Sequence, residues 1–250
     1  RMVADVVLED DELQTMIVAV SQGRTIYDNI RKSIHFLMST NLSEIAVMLA
    51  ATGAGGVPPL NTMQLLWINL ITDVFPALAL AMEPAEPDVL LRPPRDPGEP
   101  ILRRQDFKRY GLESLAITAG TMAGYGYGLA RYGAGPQAYT IAFTGLTFAQ
   151  LLHALSCRSE QHGIFGGASL QPNRHLQAAI GASALIQAAT VVVPGLRALL
   201  GTAPLAPADA IVCAAAATLP FLANEALKPW RAGRAPGAPI AATHRTPEEE

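Results

Sequence analysis

The sequence predicts an all-α membrane protein: a bundle of six transmembrane helices preceded by a cytoplasmic helix. Three observations carry this. Of the 250 residues, 50 % are hydrophobic and only 16 % charged, against a charged fraction of about 25 % in soluble domains. Six apolar segments approach or exceed the roughly 20 residues a helix needs to cross a bilayer. Basic residues gather on alternate links between those segments, the asymmetry that sets the orientation of membrane helices.

The spans are expected at residues 34–52, 60–82, 111–129, 138–155, 176–199 and 208–227, the short fourth one starting in the preceding turn. An even number returns the chain to its starting side. Arg24, Arg31 and Lys32 precede the first span, and Arg92, Arg95, Arg103, Arg104, Lys108 and Arg109 lie between the second and third. Arg158 and Arg174 lie between the fourth and fifth, and Lys228, Arg231 and Arg234 follow the last. The opposite links offer little beyond Arg131 and Arg197. Both termini and the long link are therefore expected in the cytoplasm, with the bilayer as the first partner. A net charge of −3 and the lack of a long basic run argue against a nucleic-acid partner.

Residues 11–33 are expected to form the cytoplasmic helix, capped by Asp10 or Asp11 and running on into the first span. VADVVL, within residues 1–10, is a β-branched run like a buried strand. With Arg1 in place of a start methionine and no signal-peptide pattern, the chain is expected to be one piece of a longer protein. The link 83–109 holds Pro84, Pro87, Pro93, Pro94, Pro97 and Pro100, which exclude a continuous helix and predict an ordered extended loop. Residues 230–250, rich in proline, alanine and glycine and ending in three glutamates, are expected to be disordered. Gly120, Gly124 and Gly128 form a stripe that lets another helix approach. Pro194 and Pro220 are expected to kink the last two spans.

The functional signal lies in residues 65–80, LLWINLITDVFPALAL. Asn69, Thr72 and Asp73 sit at i, i+3 and i+4 on one face of an otherwise apolar span. A carboxylate there needs a partner: another side chain, water or an ion. Pro76 cannot donate to the carbonyl of Thr72, leaving that oxygen available. The first span adds Asn41 and Glu44, and the fourth adds Gln150. Two carboxylates balance one divalent ion, and hard cations such as calcium take roughly six to eight oxygens. Asn41 and Gln150 could equally be interhelical hydrogen-bond glue, and Thr72 could bond its own backbone. His35 and His153 lie near the cytoplasmic ends of their spans and are read as interface residues without the partners of a transition-metal site. Cys157 and Cys213, on different helices near opposite faces, suggest neither a disulfide nor a metal spacing. With no phosphate-binding loop and no nucleophile motif, the chain alone is expected not to be catalytic.

Several long motifs then resemble a known family. VADVVLEDDELQTMIVAVSQGRTIYDNIRK, the NLSE of the first span, LLWINLITDVFPALAL and LRPPRDPGEPIL are similar to the C-terminal part of P-type cation-transporting ATPases, nearest the calcium-pump and related type II group. The resemblance is strong to about residue 102, moderate around FAQLLHALSCRSE and weak beyond. It implies that residues 1–10 end the phosphorylation domain, that 11–33 form the stalk, and that the six spans are the fifth to tenth membrane helices. The phosphorylated aspartate, the Mg2+-ATP site and the fourth membrane helix would lie upstream, in catalytic domains of the same protein. By motif match Asn41 and Glu44 resemble the fifth-helix ion ligands, and Asn69, Thr72 and Asp73 those of the sixth. Gln150 falls where two-ion calcium pumps carry a glutamate, a departure that bears on a second ion site. The proline-rich loop resembles the one that docks on the phosphorylation domain. The expected function is the ion-binding membrane portion of a pump exporting Ca2+ from the cytoplasm, in a bacterial plasma membrane. Other hard cations (Mg2+, Mn2+, Na+ or H+) stay open, as does a free-standing channel or partner subunit.

Overall fold

A computed structural model describes residues 12–96, 98–160, 163 and 170–232. The strand-like run in residues 1–10, the capping candidates Asp10 and Asp11, and the tail from 233 onward lie outside the described residues. Among the described residues every regular element is helical.

Helix α1 (Leu13–Gly53) is unbroken over 41 residues and opens at Glu12 without a side-chain cap. At 1.5 Å per residue it is about 60 Å long, roughly twice the hydrocarbon thickness of a bilayer. The helix expected ahead of the first span and that span are thus one rod. The second span is composite. Helix α2 (Thr62–Ile68) starts from a reciprocal cap in which Asn61 accepts from the Gln64 N–H at 2.8 Å and Gln64 accepts from the Asn61 N–H at 3.1 Å. A π-helical turn (Asn69–Asp73) follows, and α3 (Val74–Ala81) completes the crossing. Pro76 falls in the first turn of α3, where it has no N–H to give the Thr72 carbonyl. The Ser183 hydroxyl donates to the neighbouring Ile71 carbonyl at 2.7 Å.

The remaining elements are α4 (Arg104–Tyr132), α5 (Pro136–Ser156), α6 (Arg174–Val192), α7 (Pro194–Leu200) and α8 (Pro207–Ala232). The fourth expected span does begin a turn early, at Pro136. Pro194 breaks the fifth expected span into α6 and α7, whereas α8 runs unbroken through Pro220. Among the described residues, five elements are long and apolar enough to cross a membrane: α1, the α2–α3 composite, α5, α6 and α8. Helix α4, which holds the expected third span, falls outside that set. Its Glu113, Ser114, Thr118 and Thr121 are buried, while Leu112 and Leu115 point outward. Such a helix turns polar groups into the bundle and apolar ones outward, which lowers its average hydropathy.

Helix α5 is central, flanked by α4 and α8, which also meet each other; α1 packs on α4 and α3, and α6 on α3. The main core cluster joins Val47, Ile68, Ile117, Phe143, Leu146 and Ala217 from five elements. The glycine stripe makes this packing possible. A methyl group on Gly120 would lie 2.5 Å from the Ala216 carbonyl oxygen and 2.8 Å from Pro220 Cγ, and one on Gly128 would lie 2.8 Å from Ala138 Cα. Gly120→Val is therefore expected to destabilise the bundle by about 1–3 kcal/mol, read as a lowered Tm in detergent. Gly126→Ala, with open space around it, should change stability by no more than about 1 kcal/mol, the helix-propensity difference between the two residues.

Charged residues crowd one end. Arg24 donates to the carbonyls of Val89 (2.9 Å) and Arg92 (2.8 Å), and Asn29 to that of Glu83 (2.7 Å). Lys32 pairs with Glu86 at 2.8 Å, and Arg92 reaches Asp28, Glu86 and Asp88 at 2.8, 2.8 and 2.9 Å. The proline-rich loop is thus clasped along α1, as an ordered loop should be. Arg31 meets Asp106 (3.2 Å) and Glu160 (3.4 Å), and Arg109 meets Glu160 at 2.7 Å. Burial alone would raise the Glu160 carboxyl, but the Arg109 hydrogen bond and charge, with Arg31, outweigh it and hold the group down at about 2.

Candidate cation site

Six side chains converge where α1, the π-helical turn and α5 meet. Glu44 projects inward from α1 and is 6 % exposed; Asp73, at the end of the π turn, is 5 % exposed. Gln150 of α5, fully buried, donates through Nε2 to Glu44 Oε1 at 3.0 Å. The same nitrogen reaches the Thr40 carbonyl (3.3 Å) and Ser43 Oγ (3.4 Å). Asn69 donates to the Leu65 carbonyl at 2.8 Å and to Glu44 Oε2 at 3.4 Å. Asn41 donates to the Leu37 carbonyl at 2.8 Å and to Asp73 Oδ2 at 3.1 Å. Thr72 bonds back to the Ile68 carbonyl at 2.5 Å and lies 3.5 Å from Gln150 Oε1.

Two features of this cluster are chemically telling. Asp73 Oδ1 is buried without a hydrogen-bond partner, although an unmet carboxylate oxygen inside an apolar medium is costly. The three amides face the carboxylates with N–H groups, and a half-turn of any of them presents oxygen instead. The donor set is then carboxylate, amide and hydroxyl oxygen throughout, which suits hard cations and not soft ones. The cluster is not closed on all sides, because Asn41 is exposed on α1.

Residues 57–230 match the family described as "Cation transporting ATPase, C-terminus". The chain belongs to this family. Among its relatives, the calcium-transporting ATPase type 2C member 2 of Mus musculus is 33 % identical over 91 % of this chain. Calcium-transporting ATPase 1 of Yarrowia lipolytica is 33 % identical over 90 %, and the calcium-transporting ATPase of Bacillus subtilis 36 % identical over 82 %. The chain spans only 24 %, 24 % and 23 % of these relatives, respectively. They come from a mammal, a yeast and a bacterium, so the likeness carries no preference for a bacterial membrane. It does make this an integral membrane segment of a cation-transporting ATPase.

All six residues singled out in the sequence fall in one place, though in two linked groups: Asn69, Glu44, Gln150 and Thr72 in one, Asn41 and Asp73 in the other. Gln150 and Thr72 also make the interhelical and own-backbone bonds that were the plainer alternatives for them. One expectation is corrected. His35 and His153 do have a neighbour with a ligand type suited to a transition metal: one donor atom from each of His35, His153 and Cys157 lies within 4.8 Å of the others, all buried. Glu113 Oε2 contacts His35 Nε2 and lies 3.7 Å from His153 Nε2. Three helices supply these residues, so no local spacing reveals the cluster. The one legible signal was His153 and Cys157 at i and i+4 on α5, which places both on one face. Cys157 and Cys213 are buried and free, with no disulfide between them.

Proposed function

We propose that this chain is the membrane part through which an ATP-driven pump exports calcium from the cytoplasm. The observation that carries the reading is the buried carboxylate pair Glu44 and Asp73, with Asp73 Oδ1 making no hydrogen bond, the Thr40 hydroxyl beside that carboxylate being given to the Phe36 and Leu37 carbonyls. A divalent cation between them would satisfy that oxygen and cancel both charges. Asn41, Asn69, Thr72 and Gln150 would add neutral oxygens. Gln150 brings no charge, so the side chains named hold two negative charges, enough for one divalent ion, since ligand charge sets much of the affinity. The names of the relatives support calcium as that ion.

The rest of the machine is supplied by other domains of the same protein. Mg2+-ATP and the phosphorylated aspartate belong to those domains, and a further helix packed beside the exposed Asn41 would close the shell. The clustering of basic residues at the loop-bearing end supports an orientation with residue 12, the 83–103 loop and the end of α8 in the cytoplasm. Helix α1 would then transmit movement of the cytoplasmic domains directly to Glu44.

ATP hydrolysis by the full-length protein, at fixed Mg2+, tests the reading. Calcium is expected to stimulate it saturably and without cooperativity, whereas Na+ and added Mg2+ leave it unchanged. Stimulation by Na+ alone would remove the ion assignment, and hydrolysis indifferent to every cation would remove the pump.

A further inference from the structure

The cluster of His35, His153, Cys157 and Glu113 shares no residue with the oxygen-lined site. His35 precedes Glu44 on α1 by nine residues, about 14 Å along the helix axis, and on α5 His153 follows Gln150 by three residues, about 4.5 Å. Its chemistry differs as well. Two imidazoles and a thiol suit zinc and its neighbours, not calcium.

The geometry favours binding over mere packing. His153 Nε2 and Cys157 Sγ are 3.4 Å apart, and tetrahedral zinc, with bonds of about 2.1 Å to nitrogen and 2.3 Å to sulfur, holds such donors about 3.6 Å apart. His35 offers the third donor. Its Nε2 is taken by Glu113, which leaves Nδ1 buried and without a hydrogen-bond partner. Glu113 touches His35 Nε2, the carboxylate-to-histidine arrangement that orients a metal-binding ring, and stands 3.7 Å from His153 Nε2. Tyr110 stacks on His35 at 4.5 Å between ring centres and fixes its plane. All four residues are at most 4 % exposed. A structural Glu–His pair alone would leave the buried His35 Nδ1 without a hydrogen-bond partner.

We propose that His35, His153 and Cys157, oriented by Glu113, bind one divalent cation of the zinc class and so pin α1 to α4 and α5. On binding, the Cys157 thiol gives up its proton to solvent and the thiolate sulfur donates its electron pair to the metal. Thiolate and Glu113 carboxylate together balance the two charges. Because α1 continues to Glu44, occupancy would stiffen the helix that bears the transport site. The proposal does not rest on calcium being the transported ion.

Cobalt(II) is the probe. The full-length protein, purified in detergent and stripped with a chelator, is titrated with Co2+ while thiolate-to-metal absorption is recorded. One equivalent is expected to produce the band, Zn2+ to displace it, and excess Ca2+ to leave it intact. Cys157→Ser should abolish the band and Cys213→Ser should not. Glu113→Gln should weaken Co2+ binding about 10- to 100-fold. Glu44→Gln, outside this cluster, should leave the band unchanged, so the transport reading and this one can fail separately. A band that survives Cys157→Ser, or that Ca2+ removes, or no band at all, overturns the proposal. Zinc-edge absorption on the unmutated protein decides without any substitution: a shell with one sulfur supports the site, and a shell of nitrogen and oxygen alone overturns it.

Discussion

Asp73→Asn is expected to abolish cation-dependent phosphorylation by ATP in the full-length protein. Asparagine has nearly the same shape and keeps an oxygen to accept from Asn41, so the bundle should still form. What goes is one of two charges facing the ion. Removing one partner of a buried charged pair costs about 3–5 kcal/mol, which corresponds to cation affinity weakened on the order of 100- to 1,000-fold or more. The sign reverses for the cation-free protein. There Asp73 Oδ1 is a buried carboxylate oxygen that makes no hydrogen bond, so the substitution should leave Tm unchanged or raise it. A loss of phosphorylation accompanied by a raised Tm separates a binding defect from misfolding. Gln150→Ala should weaken the cation response far less, since it removes a neutral group. Undiminished cation dependence in Asp73→Asn would remove the site assignment.

Much of this arrangement was legible because the bilayer punishes polar groups. Asn69, Thr72 and Asp73 stood out in an apolar run, and the structure buries the latter two and half-buries the first. Their spacing was read on a regular α-helix, however, whereas the chain inserts a π-helical turn there. Pro76 was the visible cause of irregularity, but its form depends on neighbours such as Ser183. Pro194 broke its helix as a proline should. Pro220 did not, and its ring nests against Gly120 of α4, a contact no local pattern predicts. Helix α4 shows the same limit from the other side. Hydropathy undervalues it because Glu113 and three hydroxyl residues are spent inside the bundle. The histidine–cysteine cluster was missed for the plainest reason: His35, Glu113 and His153 are far apart in the chain, and only the tertiary fold makes them neighbours.

Glu86→Ala should be the most damaging change in the proline-rich loop. Glu86 accepts from Lys32 Nζ and Arg92 Nη2, both at 2.8 Å, and from Ser159 Oγ at 3.2 Å. Both members of the Lys32–Glu86 pair are buried, at 4 % and 7 % exposed. Removing the carboxylate takes the counter-charge from a buried ammonium, an effect of about 3–5 kcal/mol. The double variant Lys32→Met/Glu86→Leu, which removes both charges and keeps the bulk, should recover most of that loss. Burial pushes the Glu86 carboxyl up, but Lys32 and then Arg92 outweigh it, and the net shift is downward from 4.5. A carboxyl held low in the folded state lends stability that is present above about pH 4.5 and lost as pH falls through its folded value. The Tm gap between wild type and Glu86→Ala should therefore be widest near neutrality and narrow as the solution is acidified. The loop should also come loose from α1. Tryptic cleavage after Arg95, whose guanidinium sits 4.1 Å over the Tyr27 ring, is expected to speed up more than about tenfold, because cleavage of a folded segment follows the population of its opened form. A Glu86→Ala protein with unchanged cleavage and an unchanged Tm at neutral pH would mean that the clasp between loop and α1 contributes nothing.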